Sequence, residues 1–166
     1  MKKLKVAIVQ CDTIMPDVEQ NAKTAIKFIR EASKNGADLV LFPECFLTAY
    51  AAPDICEKLL PVHEIENHPE FIKWCENALT EDNPHFLKIA ELAGRLKIGI
   101  VITGFSKGKK YPQNTAWIID KDGKVILKYS KVHTCDFDWE RYLESGESFP
   151  VCKFDDITMG LSLIHI

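Results

Sequence analysis

A strand–helix–strand pattern near the start of the chain most limits what it can fold into. Residues 3–11 and 38–42 each contain a continuous apolar run, typical of strands buried on both faces. The helix between them has Asp17 as a plausible N-cap with Gln20 three residues later, and Asn35-Gly36 at its end. Its apolar residues recur at helical spacing: Val18, Ala22, Ala25, Ile26, Ile29 and Ala32. Residues 3–42 are therefore predicted to form a parallel βαβ unit.

The chain beyond this unit continues the same alternation. Asn83-Pro84 opens a second amphipathic helix, because proline suits the first helical position. Strands are predicted over 98–105, 114–120 and 125–129, while four prolines and short helices near 55–60 and 69–79 occupy the stretch 48–83. Since no internal repeat or low-complexity linker interrupts this pattern, residues 1–160 are predicted to be one α/β domain.

The net charge and the hydropathy limit the kinds of partner that this chain is expected to bind. The 166 residues carry a net charge of −3, which favours neither nucleic acid nor an anionic membrane surface as a partner. No apolar run approaches the roughly 20 residues of a membrane span. The basic N-terminus resembles the start of a signal peptide, but Gln10, Cys11 and Asp12 interrupt the apolar segment that should follow. We therefore expect a cytoplasmic protein that does not bind membranes.

The six cysteines are expected to be free thiols. They form no Cys-x-x-Cys pair, and disulfides would require a secreted chain. His133, Cys135 and Asp136 could suggest a zinc site, but a second ligand pair at zinc-finger spacing is absent. No metal or cofactor is expected.

Two charged residues stand just beyond predicted strands. Glu44 follows an apolar strand and Pro43, at the sheet edge where α/β proteins bind ligands. Partly desolvated there, it could serve as a general base, or it could be an ordinary loop residue that caps a local group. Lys131 follows the strand that begins at Val125, where a lysine is usually only a solvated charge.

Several short motifs, taken in order, change that interpretation. They are Val6 to Gln10, Phe42-Pro43-Glu44, Asn114-Thr115-Ala116, Asp122-Gly123-Lys124, Tyr129-Ser130-Lys131-Val132-His133 and Glu140-Arg141-Tyr142 followed by Gly146. Each is weak alone, but their order over residues 3 to about 160 resembles the nitrilase superfamily of carbon–nitrogen hydrolases. The resemblance implies an α-β-β-α sandwich and hydrolysis of non-peptide C–N bonds.

The resemblance also implies roles for three residues. Glu44 would be the base that activates a cysteine thiol and later water. Lys131 would stabilise the negative charge that develops on the substrate, and Glu140 would orient the lysine or the water; the alternative for Glu140 is a solvated helix residue. The implied partners are a small amide, an N-carbamoyl amine or a nitrile, and a second copy of the chain in a homo-oligomer.

The expected nucleophile is the point of departure from the family pattern. After Phe154 to Gly160, the family's cysteine should fall about four residues later, near Ile164, where this chain has no cysteine. Cys152 lies too early to replace it. Ser162 and His165 lack the surrounding elbow and acid of a serine hydrolase.

The last residues carry a separate expectation. Residues 161–166 are the in-frame translation of CTGTCTCTTATACACATC, the end of a transposon adapter used in DNA library preparation, so we expect a non-native tail. The chain would then be a truncated, inactive part of the sandwich, with one face of residues 6–9 and 100–103 uncovered. The alternative is a native binding or regulatory module without a nucleophile. A nucleotide-binding protein is disfavoured, because residues 10–14 contain no glycine-rich phosphate loop.

Overall fold

The predicted βαβ unit forms the start of the sheet. The computed structural model describes residues 3–163. Strands β1 (Val6–Ile8) and β2 (Leu39–Leu41) pair in parallel, and helix α1 (Val18–Lys34) connects them along the chain. The Asp17 carboxylate caps α1 by accepting a 2.9 Å bond from the Gln20 amide. Gly36 follows the helix at φ 71°, the left-handed geometry predicted for this end. Both strands are shorter than predicted, since only three residue pairs join them.

The five-stranded sheet brings three chain segments to one edge. Strands β3 (Gly99–Lys107), β4 (Pro112–Ile119) and β5 (Val125–Ser130) complete the order β1-β2-β3-β4-β5. Strand β3 runs parallel to β2, whereas β4 and β5 each run antiparallel to the strand before. These directions place the end of β2, the start of β4 and the end of β5 together. Segments far apart in sequence can therefore build one site there.

Two helices cover one face of the sheet. Helix α5 (Pro84–Leu96) begins as predicted, with the Asn83 side chain accepting a 2.9 Å bond from the His85 amide. It packs beside α1, and their apolar sides meet the sheet. This first core includes Ala25, Ile29, Ile89, Ala93, Ile100, Ile102 and Trp117. Burial of the isoleucine side chains, at about 1.5–3 kcal/mol each, holds the helices to the sheet.

A hairpin covers part of the opposite face. Strands β6 (Val151–Phe154) and β7 (Ile157–Gly160) pair antiparallel, and the Phe154 ring packs on Gly99. A Cβ at Gly99 would lie 2.3 Å from that ring, so only glycine leaves room for it. The prediction that residues 100–103 lack cover is wrong, because central strand β3 is buried along residues 99–106.

Strand β1 differs from the other parallel strands. Prediction of a strand buried on both faces is wrong here, since Ile8 is 75% exposed and Val6 is also exposed. The cause is position: β1 is one of the two edge strands of the sheet, and only β2 pairs with it. The expected open apolar face is thus confirmed for β1 alone.

The stretch between β2 and α5 forms a small satellite core. It contains helices α2 (Asp54–Glu57), α3 (Val62–Ile65) and α4 (Pro69–Glu76); α3 was not predicted. Their buried side chains, with Tyr142, make an apolar cluster separate from the core between the helices and the sheet. Among residues 3–163, no helix is long and apolar enough to cross a membrane.

Candidate active site

The sheet edge brings together the two charged residues that follow predicted strands. Glu44 comes three residues after β2, and Lys131 comes directly after β5. The Lys131 amide donates a 2.8 Å bond to the Asn114 carbonyl on β4, which continues the ladder into the loop. As a result the Lys131 Nζ lies 3.7 Å from the Glu44 Oε1.

Glu140 completes a three-residue ionic group. It lies on a 3-10 helix, Asp138–Tyr142, and its carboxylate accepts bonds of 3.0 and 3.2 Å from the Lys131 Nζ. Only 3% of the Glu140 side chain and 7% of the Lys131 side chain are exposed. Glu140 is therefore not the solvated helix residue that was the alternative.

The buried Lys131–Glu140 pair holds both groups in their charged forms. Burial alone would lower the pKa of Lys131, but hydrogen bonding and the charge of Glu140, together with Glu44, outweigh it and raise that pKa. Burial alone would raise the pKa of Glu140, but bonds from Tyr50, the Cys135 amide and Lys131 outweigh it and lower that pKa. Lys131 is thus a permanent cation at neutral pH.

Both oxygens of the Glu140 carboxylate are occupied. Oε1 accepts from the Tyr50 hydroxyl at 2.7 Å, and Oε2 accepts from the Cys135 amide at 2.9 Å. The Tyr50 ring also packs against Trp139, with ring centroids 4.8 Å apart and the ring planes tilted by 56°. Sequence reasoning missed Tyr50, because no local pattern in the stretch 48–83 connects it with Glu140, 90 residues away.

Glu44 is the accessible carboxylate of the group. Its side chain is 39% exposed, and its Oε1 accepts a 2.6 Å bond from the Asn114 Nδ2. Within residues 3–163, no hydrogen bond is directed to its Oε2. A proton could therefore reach Glu44 at Oε2, while Glu140 has no comparable free position.

The neighbouring thiol of Cys45 is enclosed within the protein, unlike the Glu44 carboxylate. It is fully buried and donates to the Asn114 Oδ1 at 3.3 Å. Burial, with the nearby charges of Glu44 and Glu140, raises the pKa of Cys45 well above its usual value despite Lys131. Cys45 is accordingly a buried, neutral hydrogen-bond donor, whereas a reactive cysteine is an accessible thiolate.

The remaining sequence-predicted positions are less informative. The expected nucleophile position near Ile164 lies outside the described residues. Cys152 lies on β6, as its early position in the chain predicted. His133 packs against the Phe149 ring, with centroids 6.2 Å apart. Within residues 3–163, no cluster of His, Cys, Asp or Glu has the composition to hold a metal ion.

Comparison with known protein families shows which family this chain belongs to. The profile of the family described as carbon-nitrogen hydrolase matches residues 5–165. The chain belongs to the carbon-nitrogen hydrolase family. Glu44, Lys131 and Glu140 of this carbon-nitrogen hydrolase all lie inside the matched region.

Curated relatives of this hydrolase chain have several activities. A glutamine-dependent NAD(+) synthetase of Thermotoga maritima is 30% identical over 98% of the chain, which covers 26% of that protein. Nitrilase 3 of Arabidopsis thaliana is 33% identical over 78% of the chain, covering 37% of the nitrilase. An omega-amidase of Xenopus tropicalis is 28% identical over 99% of the chain, covering 56% of the amidase. The chain thus spans between about a quarter and just over half the length of these relatives.

Solved structures confirm the predicted fold class. An amidase of the nitrilase superfamily from Nesterenkonia AN1 superposes with a TM-score of 0.73 at 21% identity, over 96% of this chain and 55% of that one. A nitrilase-superfamily member from Saccharomyces cerevisiae superposes with a TM-score of 0.70 at 26% identity, over 96% and 54%. The fold of this carbon-nitrogen hydrolase is therefore α/β of the nitrilase type.

Proposed function

We propose that this chain supplies the base and the charge-stabilising lysine for hydrolysis of a small amide, N-carbamoyl amine or nitrile. The attacking thiol would be a cysteine that the described residues do not include. The proposal rests on the burial of Lys131 between two carboxylates. Hydrogen bonds occupy both oxygens of Glu140, whereas among residues 3–163 none is directed to the Oε2 of Glu44. That asymmetry separates the roles of the two carboxylates.

Lys131 is suited to stabilise developing negative charge. Attack on an amide carbon places charge on the former carbonyl oxygen, and attack on a nitrile places it on nitrogen. A protonated amine fixed in a largely water-free pocket stabilises that charge without reorganising, an effect that typically contributes about 10²–10³ in kcat per donor. Glu140 fixes the ammonium by accepting two of its bonds.

Glu44 is suited to move the proton. Its Oε2 would accept the thiol proton as sulfur forms a bond to the amide carbon. Glu44 would then give this proton to the departing nitrogen, leaving a thioester and releasing ammonia or an amine. Water attacks the thioester next while Glu44 takes a proton from it. The C–S bond then breaks, Glu44 returns that proton to the sulfur, and the acid product is released while the restored thiol stays on the enzyme.

The test uses the full-length gene product. It is incubated with small linear amides, N-carbamoyl amines and nitriles, and release of ammonia or amine is measured. We expect turnover of at least one class, and a kcat lower by about 10²–10⁴ in Glu44→Gln because the base is removed. The 166-residue chain alone is expected to show no turnover, since Ile164 stands where the thiol is expected.

Two results would contradict the proposal. Near wild-type turnover in Glu44→Gln would show that Glu44 is not the base. A full-length protein that binds these compounds but neither turns them over nor forms an acyl adduct would instead be the nucleophile-free binding module.

A further inference from the structure

Asn114 connects three parts of the candidate site. Its side-chain nitrogen donates to Glu44 at 2.6 Å, its side-chain oxygen accepts from Cys45 at 3.3 Å, and its carbonyl accepts from the Lys131 amide at 2.8 Å. The residue is fully buried near the start of β4. An uncharged amide in such a place is costly unless each polar group has a partner, and here each does.

Chemistry fixes the orientation of the Asn114 amide. An ionised carboxylate only accepts hydrogen bonds, so the NH₂ group must face Glu44. The Cys45 thiol, kept protonated by burial, donates to the amide oxygen on the other side. A flipped amide would place its oxygen against the Glu44 carboxylate and would leave the thiol without its acceptor.

The bond from Asn114 distinguishes the two oxygens of Glu44. Oε1 receives the amide N–H and also faces the Lys131 Nζ at 3.7 Å. Among residues 3–163, Oε2 receives no hydrogen bond. Because any rotation of the carboxylate short of the equivalent 180° flip would break the Asn114 bond, one oxygen always stays open in the position of Oε2.

We propose that Asn114 is a positioning residue that holds Glu44 by Oε1 so that Oε2 is the atom that exchanges protons. This inference rests on the proposed function, in which Glu44 is the base. Asn114 acts through Glu44 and does not itself contact the reacting atoms. Its loss should therefore slow proton transfer and leave substrate binding largely intact.

The experiment measures kcat and KM of the full-length enzyme with Asn114→Ala and Asn114→Asp. We expect kcat to fall about 10²-fold in Asn114→Ala, the loss typical of a catalytic group displaced by about 1 Å, with KM within about threefold. Asn114→Asp keeps the volume but puts a carboxyl beside Glu44. Since two carboxylates this close cannot both be ionised, its kcat should fall at least as far.

Asn21 provides a matched control for the buried amide. It too is buried, and its side chain bonds the Ile14 backbone and the Leu47 carbonyl without touching a carboxylate. Asn21→Asp should lower stability as the Asn114 variants do, but should keep kcat within about threefold. A catalytic effect of Asn114 is thereby separated from the general cost of altering a buried amide.

A double variant decides whether Asn114 acts through the base. Once Glu44→Gln has removed the base, adding Asn114→Ala should lower kcat by less than about twofold. An equal loss in both backgrounds, or wild-type kcat in Asn114→Ala, would overturn the positioning role while Glu44 remains the base. Full activity in Glu44→Gln alone would instead overturn the proposed function. If Asn114→Ala does not fold, isosteric Asn114→Asp gives the same comparison.

Discussion

The Tyr50 hydroxyl donates a 2.7 Å hydrogen bond to the same Glu140 oxygen that accepts from Lys131. The two partners are 90 residues apart in sequence, so this bond ties the stretch 48–83 to the 3-10 helix. Tyr50 also lowers the pKa of Glu140 and thereby helps to keep the partner of Lys131 ionised. Burial and the bond to Glu140 raise the pKa of Tyr50 itself, so it remains a donor.

Replacement of Tyr50 by phenylalanine tests this bond. Tyr50→Phe keeps the ring that packs against Trp139 but removes the donor, so the free energy of unfolding should fall by about 1.5–3 kcal/mol. Urea unfolding measures it. Tyr111→Phe is the control, because its partner Glu66 has 30% of its side chain exposed, against 3% for Glu140, and should cost about 1 kcal/mol or less. Equal losses in the two variants would mean that the bond to Glu140 has no special weight.

Lys131 is predicted to need both its charge and its shape. Lys131→Ala should lower kcat by about 10²–10³, the usual loss for a charge-stabilising donor. Lys131→Arg should also be poor, because a planar guanidinium is too large to place a compact charge in the same space. Steady-state kinetics on variants with a native circular-dichroism spectrum would show it. A folded Lys131→Ala that keeps most of its kcat would exclude the charge-stabilising role.

Stability should fall at both ends of the pH scale because of the Lys131–Glu140 pair. The pKa of Glu140 is lowered, so its stabilisation is present above the unfolded value of about 4.3 and is lost as the pH falls through the folded value. The pKa of Lys131 is raised, so its stabilisation is complete below about 10.4 and is lost as the pH rises through the folded value.

The Glu140→Gln variant measures the acidic part of this dependence. Gln cannot titrate, so the free energy of unfolding of this variant should fall less steeply between about pH 5 and pH 2 than that of the wild type. Urea unfolding at several pH values gives both curves. Parallel curves would show that Glu140 has the same affinity for protons in the folded and unfolded states.

Cys45 is predicted to resist alkylation in the folded protein. Its thiol is buried, protonated and bonded to Asn114, whereas alkylating reagents need an accessible thiolate. Peptide mass spectrometry after iodoacetamide treatment should find Cys45 unmodified under native conditions and modified in urea. Partly exposed Cys11 serves as the internal control and should react first. Rapid native modification of Cys45 would contradict the buried-donor assignment.

The sequence predicted the main elements because their signals are local. Apolar periodicity and capping residues such as Asp17 and Asn83 act over a few residues, and α1 and α5 begin where they indicate. The same signals could not show that β1 lies at the edge of the sheet. Exposure of Ile8 depends on strand order, which is a property of the whole sheet.

The candidate site was predictable to a similar extent. Glu44 could be suspected from its place after a strand, whereas Lys131 and Glu140 could be proposed only because their motifs resemble those of the family. Tyr50 and Asn114 lie 90 and 70 residues from their carboxylate partners, and no local pattern indicates such pairs. Their contributions follow only from the way the segment after β2, strand β4 and the 3-10 helix meet at one edge.

The separations between these partners also set an order for assembly of the site during folding. Lys131 and Glu140 are nine residues apart, whereas Glu44 and Asn114 are 70 apart. Closing the longer loop costs about 2 kcal/mol more in chain entropy, and it requires β2, β3 and β4 to be paired first. We therefore expect the lysine and its anchor to come together early on the folding path and the base to be fixed last. An amide hydrogen-exchange pulse during refolding should accordingly protect the Lys131 segment together with β4–β5, before the Phe46 and Leu47 amides that follow the base.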